Sequence, residues 1–289
     1  MRLGGGNELF EAQTADELDG LLEKLDTYGL STVTGPWGYD VRNDDELIAF
    51  GERAAKLGLM IGESHSRQNL LFRDPDVKAE RIGQLKEGLR KAELMGSHSV
   101  CILVGTAGVE DHLAAHNAFN YSDEARKEYR ETMLRILDGL APGNTLLLIE
   151  PWPNTFFWQP EAVREFLDSV GHPRLGVHLD LMNMVDPYHY YRTTEFIDRT
   201  FDLLGNYIGA IHFKDLYWDW EYMYMKFDEV PIGDGVIDYK TYIRRIAELG
   251  RDIPCFVEHF PTEGDFAKSF ARLHRIASEI GTEFLPRAV

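Results

Sequence analysis

The strongest constraint on the fold is an alternation of short apolar runs with longer amphipathic segments, repeated eight times along the chain. Alternation of this kind predicts βαβ units and therefore a parallel sheet. Eight units in roughly 250 residues suit a closed (β/α)8 barrel. An open doubly wound sheet is the alternative, disfavoured because no G-x-G-x-x-G motif follows an early strand. The predicted strands are 1–6, 30–35, 58–65, 99–105, 145–151, 174–180, 207–215 and 254–260.

The segments between these strands carry helix start and stop signals. The segment 14–29 begins with a threonine and ends at a glycine, and 74–96 begins with Asp-Pro and also ends at a glycine. These residue types favour the first and last positions of a helix. No linker or low-complexity stretch interrupts the pattern, so residues 1–289 are predicted to form a single domain.

Composition limits the classes of partner. The formal charge is −18, from 48 acidic against 30 basic residues, which disfavours nucleic acid because phosphate binding draws on a basic surface. Cys101 and Cys255 both lie in apolar runs, which indicates a reducing compartment more than a disulfide scaffold. The N-terminus lacks an apolar signal segment, and no run approaches eighteen apolar residues. We therefore expect a cytoplasmic protein with no membrane partner.

Four consecutive predicted strands end in side chains that bind metals. Glu150 ends the fifth strand and Asp180 the sixth, while His212 and Glu258 lie near the ends of the seventh and eighth. In a closed barrel these strand ends surround one point at the mouth. Three carboxylates there would repel one another unless a cation compensates. One imidazole with three carboxylates suits octahedral Mn²⁺, Co²⁺ or Mg²⁺, so we predict one divalent ion, with Mn²⁺ foremost.

Each of these residues also has an ordinary structural role open to it. Glu150 could be a solvated loop acid, and Asp180 could cap the helix that follows. His212 could be a core histidine with satisfied hydrogen bonds, and Glu258 could pair with Lys214. The coincidence of four such residues on consecutive strands favours the metal site over four separate explanations.

The stretches "LLLIEPWP", "GVHLDLMN", "IHFKD" and "FVEHFP" resemble the signature strands of the xylose isomerase-like TIM barrels. This group of sugar phosphate isomerases and epimerases includes the keto-sugar 3-epimerases. The resemblance covers nearly the whole chain and implies that Glu150, Asp180, His212 and Glu258 bind one metal ion. It implies a divalent-metal-dependent isomerase or epimerase of a keto sugar, acting through an enediolate. One of the two glutamates, Glu150 or Glu258, would remove the proton beside the carbonyl, and the other would return a proton from the opposite face.

Three more residues are candidates for substrate binding. His65 ends the third strand and could hold a sugar hydroxyl, or be an ordinary loop histidine. Asn183 stands where some family members have a substrate-contacting histidine. Lys214 shares a strand face with His212 and could polarise a substrate oxygen or pair with a glutamate. The arginine that many of these epimerases carry after the strand-7 histidine has no counterpart in "LYWDW", which is the largest departure from the family pattern.

A lyase is the alternative that the same resemblance suggests. C-glycoside deglycosidase relatives cleave C-glycosides of 3-keto sugars with the help of a small β-rich partner subunit, and inosose dehydratases share the first step. Two long connections, 105–122 and 216–235, follow predicted strands where binding loops are expected. The run "YWDWEYMYMKF" in the second would suit an aromatic aglycone, the partner subunit or a contact between copies of this chain.

The expected partners are therefore a small carbohydrate and a second copy of the chain in a homo-oligomer, with the small β-rich subunit as a further partner under the lyase alternative. The DNA-repair endonuclease IV branch of the same superfamily needs three metal ions, further histidine ligands and a basic groove. The charge of −18 and the missing ligands disfavour that branch.

Overall fold

The architecture is a barrel of parallel strands surrounded by helices. The computed structural model describes residues 1–6, 8–108 and 110–288. Its strands within these ranges are β1 (Arg2–Gly6), β2 (Thr32–Thr34), β3 (Met60–Ser66), β4 (Ser99–Ile102), β5 (Leu146–Ile149), β6 (Leu175–Asp180), β7 (Ile208–Phe213), β8 (Asp215–Trp218), β9 (Phe227–Val230) and β10 (Pro254–Glu258). All but β8 and β9 form one parallel sheet in the order β1-β10-β7-β6-β5-β4-β3-β2. The Ser31 amide, beside β2, donates to the Leu3 carbonyl of β1 at 2.9 Å, so the two ends of this order also meet.

Eight α-helices in the described ranges alternate with these strands. They are α1 (Ala15–Tyr28), α2 (Asp44–Lys56), α3 (Pro75–Met95), α4 (Asp123–Leu137), α5 (Pro160–Val170), α6 (Thr193–Leu204), α7 (Tyr239–Glu248) and α8 (Glu263–Glu279). The predicted caps are present: the Thr14 hydroxyl accepts the Glu17 amide, and Asp74 accepts two amides at the start of α3. Gly29 and Gly96 end α1 and α3 in the left-handed conformation. The predicted (β/α)8 TIM barrel is confirmed, with all eight predicted strands.

The barrel interior below its mouth is filled by an aromatic side chain. Phe256 of β10 is fully buried, and its ring lies against two glycines on other strands. A Cβ at Gly4 or Gly62 would approach that ring to 2.8 Å, so neither position can carry a side chain without moving Phe256. The small residues of β1 and β3 therefore make room for the packed floor on which the mouth residues stand.

Strand register brings the polar ends of β6, β7 and β10 level. Asp180 pairs with His212 across β6 and β7, and His212 is aligned with Phe256 in β10. A shift in pairing between Val177 and His178 in β6 establishes this alignment. On the side of β10 away from β7, Glu258 pairs with Gly6 of β1. The polar ends of β6, β7 and β10 therefore lie at one end of the barrel.

The sequence suggested a simple loop for the second long connection, but this connection contains a pair of strands. Strands β8 and β9 pair antiparallel as a hairpin, with Asp215 opposite Val230 and Trp218 opposite Phe227. The predicted seventh strand extends to residue 215, but β7 ends at Phe213 and Asp215 begins the hairpin. The aromatic run 217–227 spans the end of β8, the turn and the first residue of β9, and no turn signal in the sequence separates two strands from a loop.

The remaining structural expectations concern membranes and thiols. None of the helices in the described ranges combines the length and the hydrophobicity that crossing a bilayer requires. Cys101 and Cys255 are both buried free thiols. Burial raises the pKa of Cys101 well above its usual value, and the carboxylates of Glu150, Glu63 and Glu258 raise it further. This thiol is therefore held in its neutral form.

Candidate metal centre

Glu150, Asp180, His212 and Glu258 converge at the mouth of the barrel. Each offers one ligand atom, and these four atoms lie within 4.8 Å of one another. All four side chains are buried, Asp180 completely and Glu150 most exposed at 8%. The four predicted metal ligands are thus together in space, although no two of them are closer than 30 residues in sequence.

Asp180 divides its two carboxylate oxygens between two neighbours. Its Oδ1 accepts the Asn183 backbone amide at 3.2 Å, within a short 3-10 helix (Met182–Met184) whose N-cap is Leu181, so Asp180 is not the cap of that helix. Its Oδ2 lies 2.7 Å from Lys214 Nζ, but without the alignment of a hydrogen bond. A buried carboxylate oxygen without a hydrogen bond is expensive to retain unless it meets a cation.

Lys214 supplies positive charge to the whole cluster. Its Nζ lies 3.2 Å from Glu258 Oε2 and 3.9 Å from Glu150 Oε1, in addition to its contact with Asp180. Burial alone would lower the pKa of this lysine, but the three carboxylates together raise it well above its usual value. Lys214 is therefore a buried ammonium ion in a shared ion-pair network, one of the two roles considered for it.

Glu63 completes the cluster from β3, and sequence reasoning missed it. This fully buried carboxylate lies 3.0 Å from His65 Nε2, 3.2 Å from His212 Nε2 and 3.3 Å from His178 Nε2. Burial would raise the pKa of Glu63, but the three imidazoles lower it well below its usual value. The stretch "GESHS" does indicate Glu63. Glu63 and His65 are two positions apart and therefore lie on the same face of the strand, in a stretch with no apolar residue.

Glu63 also orients the histidine of the cluster. Because His212 Nε2 faces Glu63, its Nδ1 faces Glu258 Oε2 at 3.1 Å and Glu150 Oε1 at 3.4 Å. Burial would lower the pKa of His212, but Glu258, Glu63 and Glu150 raise it well above its usual value. A carboxylate behind a histidine ligand in this manner fixes the ring and increases its basicity.

His178 packs beside this pair as a neutral ring. Its centroid lies 3.9 Å from that of His212, and neither of its nitrogens makes a hydrogen bond to a described residue. Burial, reinforced by the nearby His212, lowers the pKa of His178 to about 3. Sequence reasoning missed this residue too, because a single histidine in an apolar strand gives no specific signal.

The three predicted substrate-binding residues occupy different places. His65 lies on the wall of a cavity at the mouth, with its ring stacked between those of Trp37 and His212 at 5.9 and 6.2 Å. Asn183 donates from Nδ2 to Glu150 Oε1 at 3.0 Å. Asn183 and Lys214 are absent from the described lining of that cavity, so both act on the cluster carboxylates directly.

The cavity spans about 660 Å³ when the part open to solvent is included. Its lining includes the carboxylates Glu150 and Glu258 and the apolar side chains Ile102, Leu103 and Leu113. The other described lining residues are His65, Ser66, Arg67, Cys101, Trp152 and His259. A ligand of the size of a monosaccharide derivative would therefore meet both carboxylates and apolar side chains.

The hairpin is fastened to the mouth at two points. Asp215 accepts the amides of Gly233, Gly235 and Ile237 at 2.8, 3.2 and 3.1 Å. Glu229 of β9 lies 3.1 Å from the Nδ1 of His259, the residue that follows Glu258. The backbone of His259 has φ 65°, a left-handed conformation that a non-glycine residue rarely adopts.

Large side chains of the hairpin turn face solvent. Trp220, Tyr222, Met223, Tyr224 and Met225 are all at least half exposed. Next to them is a groove shared by Tyr190, Tyr191 and Trp218. The predicted aromatic surface is therefore present on the same side of the barrel as the cavity. The two histidines of the other long connection, His112 and His116, are exposed as expected.

The residues of the cluster fit a divalent cation. Three carboxylates and one imidazole form a hard, oxygen-rich ligand set of the kind that Mg²⁺ and Mn²⁺ prefer. The ligand atoms of these four residues lie within 4.8 Å of one another, close enough for one ion to contact all four. A second group of four, made of Glu63, His65, His212 and Glu258, shares two residues with the first. Glu63 is already engaged by three histidines, which favours the first group.

Comparisons with known proteins agree with this architecture. The curated 3-dehydroshikimate dehydratase of Bacillus anthracis is 23% identical over 141 residues, which cover 45% of this chain and 48% of that protein. The chain thus aligns with about half the length of this relative. A xylose isomerase-like TIM barrel protein from Mycobacterium smegmatis, in complex with magnesium, has a TM-score of 0.64 at 17% identity over 92% of this chain and 90% of that one.

An epimerase is also among the similar structures. The D-allulose 3-epimerase from Methylomonas sp., in complex with D-allulose, has a TM-score of 0.64 at 14% identity and covers 99% of this chain and 91% of its own. At such identities the likeness concerns the fold. The family model of the xylose isomerase-like TIM barrels matches residues 11–276. Since this match spans most of the sequence, the chain belongs to the xylose isomerase-like TIM barrel family.

Proposed function

We propose that this protein is a divalent-metal-dependent isomerase or epimerase of a keto sugar. The observation that carries the proposal is the pair of glutamates, Glu150 and Glu258, which line one cavity and share one histidine nitrogen, His212 Nδ1. Both are held next to a ligand set that suits a metal ion. A site that only bound a sugar would have no need of two buried carboxylates in this arrangement.

The ion, when bound by Glu150, Asp180, His212 and Glu258, would act as a Lewis acid toward the oxygens of a hydroxy ketone. We assign Mn²⁺ as its identity, with Co²⁺ and Mg²⁺ as the other candidates, because the donor set is rich in oxygen and poor in nitrogen and sulfur. The magnesium found in the Mycobacterium smegmatis relative supports a hard ion of this type.

The two glutamates would move the proton. One carboxylate takes the hydrogen beside the carbonyl as a proton, and the electron pair of that C–H bond moves toward the carbonyl oxygen to give an enediolate. The other glutamate returns a proton to the opposite face, which inverts the carbon. A positioned acid or base of this kind contributes ~10²–10⁴-fold to the rate.

The neighbours of the glutamates set their orientation. Asn183 donates to Glu150 Oε1, and Lys214 Nζ lies 3.2 Å from Glu258 Oε2. Each carboxylate thus has a separate cationic or amide partner that limits its rotation. His65, on the cavity wall, is available to bind a substrate hydroxyl from the side of β3.

A lyase is the second candidate, and the apolar side chains of the cavity favour it. Proton removal would be the same, but the new C–C double bond would then expel a group on the next carbon, such as the aglycone of a 3-keto C-glycoside or a hydroxyl as in inosose dehydration. Ile102, Leu103 and Leu113 would suit an apolar leaving group. The likeness to a dehydratase supports an elimination as well.

Several coarser features belong to the same proposal. We propose a single domain over residues 1–289, a cytoplasmic location and a small carbohydrate substrate. We also propose a homo-oligomer. The exposed aromatic residues of the hairpin offer a surface either for a second copy or for the small β-rich subunit that the lyase would need.

The test is solvent-deuterium uptake by keto sugars and 3-keto glycosides, followed by NMR with the Mn²⁺-loaded protein. Glu150→Gln and Glu258→Gln are each expected to abolish uptake while the protein stays folded at the assay temperature, as circular dichroism would show, even where loss of a carboxylate beside Lys214 lowers the melting temperature. Glu165→Gln, which changes a glutamate paired with Arg126 on the surface, is the matched control. Near-normal rates in either cluster variant, or unfolding of both, would contradict the assigned roles.

A further inference from the structure

One exposed cation at the cavity, Arg67, has no ion-pair partner among the residues that the structure describes. Arg67 lies on the cavity wall and makes no ion pair or hydrogen bond within residues 1–6, 8–108 and 110–288. Its guanidinium carbon lies 4.8 Å from the centre of the Trp37 ring. We propose that Arg67 binds a carboxylate of the substrate, so that the substrate is a keto-sugar acid; this inference rests on the proposed function of the same cavity.

The surroundings of Arg67 leave it available to a ligand. Arg67 is exposed, and many exposed arginines of this chain, which has 48 acidic residues against 30 basic ones, form ion pairs. In the neighbouring segments, Arg81 pairs with Asp111 and Arg73 with Glu128. The two glutamates of the cavity are occupied by His212 and Lys214 instead of Arg67. Arg67 has no ion pair to a described residue, as Arg135 has none either, but of these two only Arg67 lines the cavity, where an anionic ligand can reach it.

Trp37 holds this guanidinium in place. The Trp37 amide donates to Gln13 Oε1 at 2.9 Å, its carbonyl accepts Arg42 Nε at 3.0 Å, and its indole nitrogen donates to Glu11. The ring is 43% exposed, but its indole hydrogen bond and its stacking on His65 at 20° hold it in place. A guanidinium resting on a fixed aromatic face keeps its N–H donors free and loses less rotamer entropy when a ligand arrives.

The shape of the cation favours a carboxylate over a phosphate. A planar guanidinium matches the two oxygens of a carboxylate with two parallel hydrogen bonds. Phosphate sites commonly add a helix N-terminus or further cations. The described lining of this cavity contains one arginine and no lysine, and it includes apolar side chains. The chain charge of −18 does not oppose this contact, because exposed charges more than about 8 Å apart are largely screened at physiological salt.

The test compares three probes that differ only at carbon 6: D-fructose, D-fructuronate and D-fructose 6-phosphate. Dissociation constants are measured by calorimetry on the Mn²⁺-loaded protein. We expect fructuronate to bind at least ~10-fold more tightly than fructose, as a charge-assisted pair of hydrogen bonds allows. Equal affinities for fructose and fructuronate, tighter binding of the phosphate than of the carboxylate, or no binding of any probe would each overturn the proposal.

Variants separate the arginine from other sources of a preference. Arg67→Gln should bring the ratio of the fructose to the fructuronate constant to about one, and Arg67→Lys should leave an intermediate ratio because it keeps the charge without the fork. Arg135→Gln changes an exposed arginine of α4 that likewise has no ion pair to a described residue, and should leave the ratio unaltered. A ratio that survives in Arg67→Gln overturns the proposal. A normal ratio without deuterium uptake would instead refute the isomerase function and leave the carboxylate site standing.

Discussion

Replacing Lys214 by methionine tests how the cluster is held together without a metal ion. The change keeps the length of the side chain but removes the charge that lies 2.7 Å from Asp180 Oδ2 and 3.2 Å from Glu258 Oε2. The lysine side chain is 2% exposed, so water cannot replace it. Removal of one partner from a buried ion pair costs about 3–5 kcal/mol, because the other charge stays buried and unpaired.

That loss converts to a measurable shift in melting temperature. Unfolding entropy near about 2.1 cal/mol/K per residue gives this 289-residue chain roughly 0.6 kcal/mol/K, so the melting temperature should fall by about 5–8 °C. Calorimetry with a chelator present measures this fall in the metal-free protein. Lys240→Met removes an exposed lysine paired with Glu279 at 2.8 Å and should lower stability by less than about 1 kcal/mol.

Addition of excess Mn²⁺ supplies the second half of this experiment. A divalent ion among the carboxylates would replace the missing positive charge, so the deficit of Lys214→Met should shrink when the metal is present. By linkage, the variant should then bind the metal more tightly than the wild type, since it gains more stability on binding. Equal losses of stability with and without Mn²⁺, or no loss in the chelated protein, would refute the argument that Lys214 and a metal ion neutralise the same carboxylates.

Three further outcomes follow from the structure. Glu63→Gln should weaken metal binding ~10–100-fold with the fold retained, because Glu63 orients the His212 ring. Competition with a chelator measures the metal affinity, and an unchanged affinity would show that Glu63 is not part of the site. Burial lowers the pKa of His98 despite the contact of its ring with the Gly209 carbonyl, so the folded state favours the neutral ring. The stability that this ring contributes is present above the usual pKa of 6.5 and should be lost as the pH falls through the lowered pKa. Melting curves at several pH values should therefore show a steeper acid loss in the wild type than in His98→Gln, and parallel losses would contradict this. Gly235→Ala would place a Cβ 2.2 Å from Asp215 Oδ1 and should lower the free energy of unfolding, measured with a chemical denaturant, by about 1–3 kcal/mol. Gly264→Ala, whose Cβ would have no atom nearer than 3.7 Å, should not lower it. Equal effects of the two changes would show that the backbone around Asp215 moves to make room for the new Cβ.

The pattern of the sequence predicts the barrel well because it depends on local signals that repeat. The alternation of apolar runs and capped helices, such as α1 with Thr14 and Gly29 at its ends, requires no knowledge of distant contacts. The resemblance of the four strand ends to the xylose isomerase-like TIM barrels is confirmed by the family match over residues 11–276. The convergence of Glu150 and Asp180 also follows once the strands are placed in order around a closed barrel.

What the sequence did not predict depends on contacts between strands that are not adjacent. Glu63 meets His212 across the barrel interior, 149 positions along the chain, and no periodicity records that contact. The hairpin was missed because its two strands are only four residues long each, and only Asp215 and Leu216 among their residues are buried. The position of Arg67 on Trp37 likewise depends on loops from different strands, whose conformations are set by their own side-chain hydrogen bonds.

The lysine among the carboxylates has a physical reason that the fold itself supplies. The strand ends of β5, β6 and β10 bring three buried carboxylates within 4.8 Å of one another and of His212, whether or not a metal ion is bound. Without a cation this arrangement would repel itself and open the mouth of the barrel. Lys214 supplies that cation from within the chain, 2.7 Å from Asp180 Oδ2 and 3.2 Å from Glu258 Oε2. The divalent ion that we propose would have to compete with an ammonium group already in place, so the lysine would lower the metal affinity while it holds the metal-free site together.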